Sequence, residues 1–186
     1  MNILTTRFST GDVIRAADVS NGNLQSWIKR GIIIGQDIDG GGGPGKHRSF
    51  SWFNLSEIAS AAALMQASVS SPHDAFRASQ RFSHTSDGGQ SWLGDESSPK
   101  LQPYRWPGIP FHHDQGETWL YVSGDKSAVM LHKDDTVQRH KVLAALRSPL
   151  GFVSLNLTEL FMQVTRRLGS DGRVALDLVY SNEAVA

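Results

Sequence analysis

The sequence contains no cysteine, no excess of charge of either sign and no long apolar run. Each absence excludes something. Without Cys there is no disulfide, no thiolate-bound zinc, no iron–sulfur cluster and no thiol nucleophile. Eighteen Lys and Arg against 18 Asp and Glu leave a formal net charge of zero. That balance excludes a grossly basic, histone-like nucleic-acid binder but leaves room for a locally basic surface. No stretch approaches the ~20 apolar residues needed to span a bilayer. Met1 to Arg7 lacks the apolar centre of a secretory signal, so the expected location is the cytoplasm, with no membrane partner. What is present is 39% hydrophobic residues and 18 Gly in 186 residues, enough for a core with generous loops, in one domain or two small ones.

The N-terminal region is dense in helix signals. Ser9 with Asp12 three positions on has the form of a capping box, so a helix starts there and presents Val13, Ile14 and Ala17. Ser20 is a second N-cap, and the following helix, near 21–30, buries Leu24, Trp27 and Ile28 at helical spacing. Gly31 ends it. Two short helices joined by a tight turn make a helix-turn-helix. The β-branched run Ile32–Ile34, the glycine-rich tip Gly40–Gly45 and a returning strand over Lys46–Trp52 then predict a two-stranded wing. Asn54 with Glu57 is expected to cap a third helix, and Ser71-Pro72 a fourth carrying Phe76 and Phe82.

These residues resemble a known family. Phe8-Ser9-Thr10-Gly11-Asp12-Val13, then Val19-Ser20 through Leu24 and Trp27, then Gly31-Ile32-Ile33, with Arg48 before Phe50, resemble the mercury-resistance-regulator (MerR-like) winged helix-turn-helix and its excisionase relatives. The resemblance covers about the first third of the chain. It implies that the helix near 21–30 reads a DNA major groove and that the wing holds phosphates. The sequence departs from the family at Gln25, where an Arg is usual, and at Ser26-Trp27, where tyrosines are usual. No heptad-patterned helix follows to form the family's dimerising coiled coil.

DNA binding needs cations for phosphates and hydrogen-bonding side chains for base edges. Asn21, Asn23, Gln25 and Ser26 occupy the early turns of the reading helix and are assigned to bases. Gly22 lets the backbone approach closely at a helix N-terminus that favours phosphate. Lys29, Arg30, Lys46, His47 and Arg48 are assigned to the backbone, with Arg15 in support. Against this, six Lys or Arg face five Asp or Glu between Met1 and Gln66, a balance that ordinary solvated domains share.

The expected class is α+β: a winged helix-turn-helix over 1–83, a polar linker or long loop over 84–103, and a small α+β module over 104–186 for dimerisation, partner binding or sensing. In that module a hairpin at Thr118–Leu131, a helix within Thr136–Leu146, a strand at Phe152–Leu157, a helix from Thr158 to Leu168 and a last strand at Val174–Tyr180 are expected. His112-His113-Asp114, with Glu117, His132 and His140, is the most enzyme-like cluster. Its spacing matches no strong metal signature, and neighbours on a strand point opposite ways, so no metal, cofactor or catalytic residue is expected. No nucleophile elbow, P-loop or dinucleotide fingerprint appears.

The functional expectation is a sequence-specific transcriptional regulator, with a phage- or mobile-element-related role suggested by the excisionase side of the resemblance. Its expected partners are double-stranded DNA, a second copy of the chain as a homodimer, and RNA polymerase or another regulatory protein. The alternatives are an architectural or recombination factor and a protein-interaction adaptor built on the same fold.

Overall fold

Short polar side chains decide where most helices begin. In the computed structural model, which describes residues 2–34, 48–86, 104–133 and 139–181, strand β1 (Phe8–Ser9) runs straight into helix α1 (Thr10–Ala17). The Ser9 hydroxyl accepts the Asp12 N–H, and the Asp12 carboxylate accepts the Ser9 N–H at 3.0 Å. These bonds from the Ser9 hydroxyl and N–H, with Arg15 adding its charge, hold the Asp12 carboxyl below its ordinary pKa. Asp18, in the left-handed region, closes α1, and Ser20 caps α2 (Asn21–Lys29). Gly31 follows at φ 65°, a conformation that favours glycine.

The expected wing is paired differently. The returning strand, β2 (Ser49–Phe50), lies antiparallel to β1, with Phe8 opposite Phe50 and Ser9 opposite Ser49. Ile32–Ile34 is irregular: Ile33 is buried in the core and the Ile34 N–H donates to the Glu57 carboxylate at 2.9 Å. The Gly40–Gly45 tip lies outside the described residues. The third helix, α3 (Trp52–Gln66), is capped by a Ser51–Asn54 box rather than by Asn54 and Glu57. Glu57 is fully buried there and also accepts from Gln80 at 2.9 Å and pairs with His84 at 2.8 Å. Helix α4 (Pro72–Ser83) starts at the Ser71-Pro72 signal as expected.

Beyond it, the fully buried Arg105 guanidinium donates to the carbonyls of Phe82, Thr85 and Trp106 at 2.7–3.0 Å, tying the segment before the sheet to the end of α4. A single 3-10 turn (His113–Gln115) leads into β3 (Glu117–Ser123), which pairs with β4 (Lys126–His132) through the two-residue Gly124-Asp125 loop. The sheet order is β4-β3-β5, all antiparallel, with β5 at Val153–Asn156. Because side chains alternate along a strand, Leu120 and Val122 enter the main core, while Tyr121 joins a smaller cluster with Ala128, Val142 and Leu146 around α5 (Arg139–Ala145).

Helix α6 (Leu157–Arg167), capped by Asn156, and helix α7 (Gly172–Ser181) complete the chain. The expected last strand is therefore a helix. Asp171 accepts the N–H groups of Arg173 and Val174, and Ala175, Leu176 and Val179 are buried at helical spacing. The result is mixed α+β, with seven helices and two small antiparallel sheets among the described residues.

One apolar cluster runs through both halves of the chain, from Ile3 to Val179. Trp52 joins the two halves within it: its ring meets Phe161 of α6 edge-on at 5.3 Å, and its indole N–H donates to the Gly108 carbonyl at 2.8 Å. Arg167 strengthens the junction, donating to the Ala16 carbonyl at 3.1 Å. Among the described residues, no helix is long and apolar enough to cross a membrane.

Candidate nucleic-acid interface

Helix α2 divides cleanly into two faces. Leu24 and Trp27 are buried, with Trp27 edge-on to Phe76 of α4 at 5.1 Å. Asn21, Gly22, Asn23 and Lys29 are exposed, as is Arg30 at the C-cap, and Gln25 and Ser26 are half-buried. The helix carries no carboxylate, so its N-terminal partial positive charge and the cations at its other end are not opposed locally.

Three of the sequence-assigned residues come together. Arg48, just before β2, donates from Nη1 to the Gln25 Oε1 at 2.6 Å, and the Gln25 amide donates to the Asn21 Oδ1 at 3.3 Å, one helical turn away. Asn21, Gln25 and Arg48 thus form a continuous polar chain across the exposed helix surface to the strand ladder. Asn23 stands beside it, its N–H held by the Ser20 hydroxyl at 3.1 Å and its side chain in solvent.

The other assignments are distributed differently. Arg15 is turned to the C-terminal half: its guanidinium pairs with Asp12 at 2.6 Å and donates to the Arg167 carbonyl at 3.1 Å. It fastens α1 to α6. Lys46 and His47 lie outside the described residues. The sequence reading missed Arg7, which is exposed and donates to the Ser49 hydroxyl at 3.0 Å. This bond ties Arg7 across the ladder to Ser49, the residue that follows Arg48 in the chain. Its signal was the Arg-Phe-Ser step into α1, which alternates as a strand does, but the assumed Ile32–Ile34 pairing hid it.

No protein-family model matches this chain, and no curated protein matches it in sequence.

Proposed function

We propose that this protein is a sequence-specific DNA-binding regulator of transcription, with an N-terminal winged helix-turn-helix of the MerR-like kind. The observation that carries the reading is α2 itself. It is a capped helix anchored from beneath by Leu24 and Trp27, whose outer face offers amides, a glycine and two cations with no carboxylate. Asn23 and Asn21 have the donor–acceptor pair that reads adenine in the major groove. Lys29, Arg30, Arg48 and Arg7 supply phosphate contacts on either side. The Arg48–Gln25–Asn21 chain pre-positions those three side chains before DNA arrives, which reduces the ordering cost of binding. A single module of this size buries a small interface, so useful affinity calls for a homodimer or a neighbouring protein on DNA.

The test is selection of genomic fragments by the purified protein at physiological salt. A short shared motif is the expected result. Lys29→Ala should weaken binding to all sequences alike and flatten the salt slope by about one, whereas Asn23→Ala should cost about 1–3 kcal/mol and relax a single base position. Weak, salt-erased binding with no motif would remove the proposal. A sedimentation coefficient of one copy, free and on the selected motif, would remove the homodimer.

A further inference from the structure

We propose that His112, His113 and Asp114 bind one divalent transition-metal ion, with Asp177 behind them as the carboxylate that orients the His112 imidazole. The strand geometry that would splay these neighbours is absent. His112 is extended and His113–Gln115 form a 3-10 turn, so the two rings lie side by side with centroids 4.2 Å apart. One ligating atom from each of the three residues falls within 4.8 Å of the others.

The Asp114 carboxylate presents one oxygen to each ring, at distances near the spacing of neighbouring metal ligands. His112 Nδ1 is 3.4 Å from one Asp114 oxygen, and His113 Nε2 is 3.3 Å from the other. Hydrogen bonds of this type are shorter, at ~2.7–3.2 Å. Metal bonds of ~2.0–2.1 Å place neighbouring ligands of a tetrahedron about 3.4 Å apart.

The opposite nitrogens face Asp177 on α7. Its Oδ1 is 3.0 Å from His112 Nε2 and 3.7 Å from His113 Nδ1, and the latter is buried without a hydrogen bond among the described residues. A proton on His112 Nε2 shared with Asp177 leaves the single Nδ1 lone pair turned toward Asp114, where an ion would replace the long 3.4 Å contact that it makes with the Asp114 N–H. That is the arrangement in which a carboxylate fixes the tautomer of a metal-binding histidine.

Tyr180, one turn beyond Asp177, locks the frame. Its hydroxyl donates to the Pro110 carbonyl at 2.8 Å and its ring meets His112 edge-on at 5.4 Å. Two imidazoles and one carboxylate suit zinc and its neighbours rather than magnesium or calcium. The Asp114 side chain is 76% exposed, which leaves the remaining coordination position open to water. The inference does not depend on DNA binding.

The experiment titrates the full chain with zinc chloride by calorimetry, with cobalt(II) as a spectroscopic stand-in. One ion per chain is expected. Asp114→Ala, at an exposed position that leaves the fold intact, should weaken binding at least tenfold. Asp177→Asn should weaken it ~10–100-fold. His73→Ala and His140→Ala, exposed elsewhere, should leave it unchanged. Ring nitrogen resonances should report coordination through Nδ1 of His112 and Nε2 of His113. Absence of saturable binding, or binding that Asp114→Ala and His113→Ala leave intact, would overturn the proposal.

Discussion

Single buried polar groups control stability at two places. Tyr121 is 1% exposed and its hydroxyl meets His132 Nε2 at 2.9 Å. Burial pushes its pKa up to about 12, so the folded chain holds this proton more tightly than the unfolded chain, where tyrosine titrates near ~10. The stabilisation is therefore complete below pH ~10 and is lost as pH rises toward the folded value. Denaturant midpoints measured across that range should fall, and Tyr121→Phe should fall less steeply; parallel curves would place the proton elsewhere. Glu57 is the second case. Its carboxylate serves the Ile34 N–H, Gln80 and His84 at once, so Glu57→Ala should cost about 1–3 kcal/mol in equilibrium unfolding through the donors it orphans. An acidic residue three positions after Asn54 looks like a helix cap in the sequence. Only the distant partners, 23 and 27 residues away, reveal its real environment.

Elements with local signals were legible, and those chosen by tertiary partners were not. Ser9, Ser20 and Ser71 announce α1, α2 and α4 because each cap bond is made within three residues. The Gly124-Asp125 loop likewise announces the β3–β4 hairpin. Val174–Tyr180, by contrast, alternates apolar positions while also placing Ala175, Leu176 and Val179 at helical spacing, and a short apolar run of that kind fits either structure. Packing on α6 decides it. The close approach is at Gly172, where an added methyl would lie 2.7 Å from Thr165 Oγ1 and 3.1 Å from the Met162 Cα. Thr165 cannot yield easily, since its hydroxyl donates to the Phe161 carbonyl at 2.8 Å. Alanine normally favours a helix over glycine by about 1 kcal/mol, but overpacking costs about 1–3 kcal/mol. Gly172→Ala should therefore destabilise the protein in thermal unfolding; a raised melting temperature would mean that α6 and α7 can separate slightly.

At the scale of the whole molecule, the polar face of α2 and the histidine cluster were visible as residues, but their surroundings were not. Arg48 reaches Gln25 across 23 residues, and His112 reaches Asp177 across 65, separations for which a single sequence carries no signal. The expected division into an N-terminal domain over 1–83 and a separate module over 104–186 meets the same limit. Trp52 from one side and Phe161 from the other share a single apolar cluster, and Arg15 and Arg167 exchange hydrogen bonds with backbone carbonyls across the same junction. Removing Phe161 takes a large buried ring from that cluster, a change that typically costs about 3–5 kcal/mol. If the halves are held as one cooperative unit, Phe161→Ala should lower a single transition, with tryptophan fluorescence and far-ultraviolet dichroism falling together. If 1–83 folds independently, the same variant should melt the C-terminal half first and leave the helicity of α1–α4 in place. Binding of the selected DNA by the partly melted protein would then locate the reading function in the first half alone.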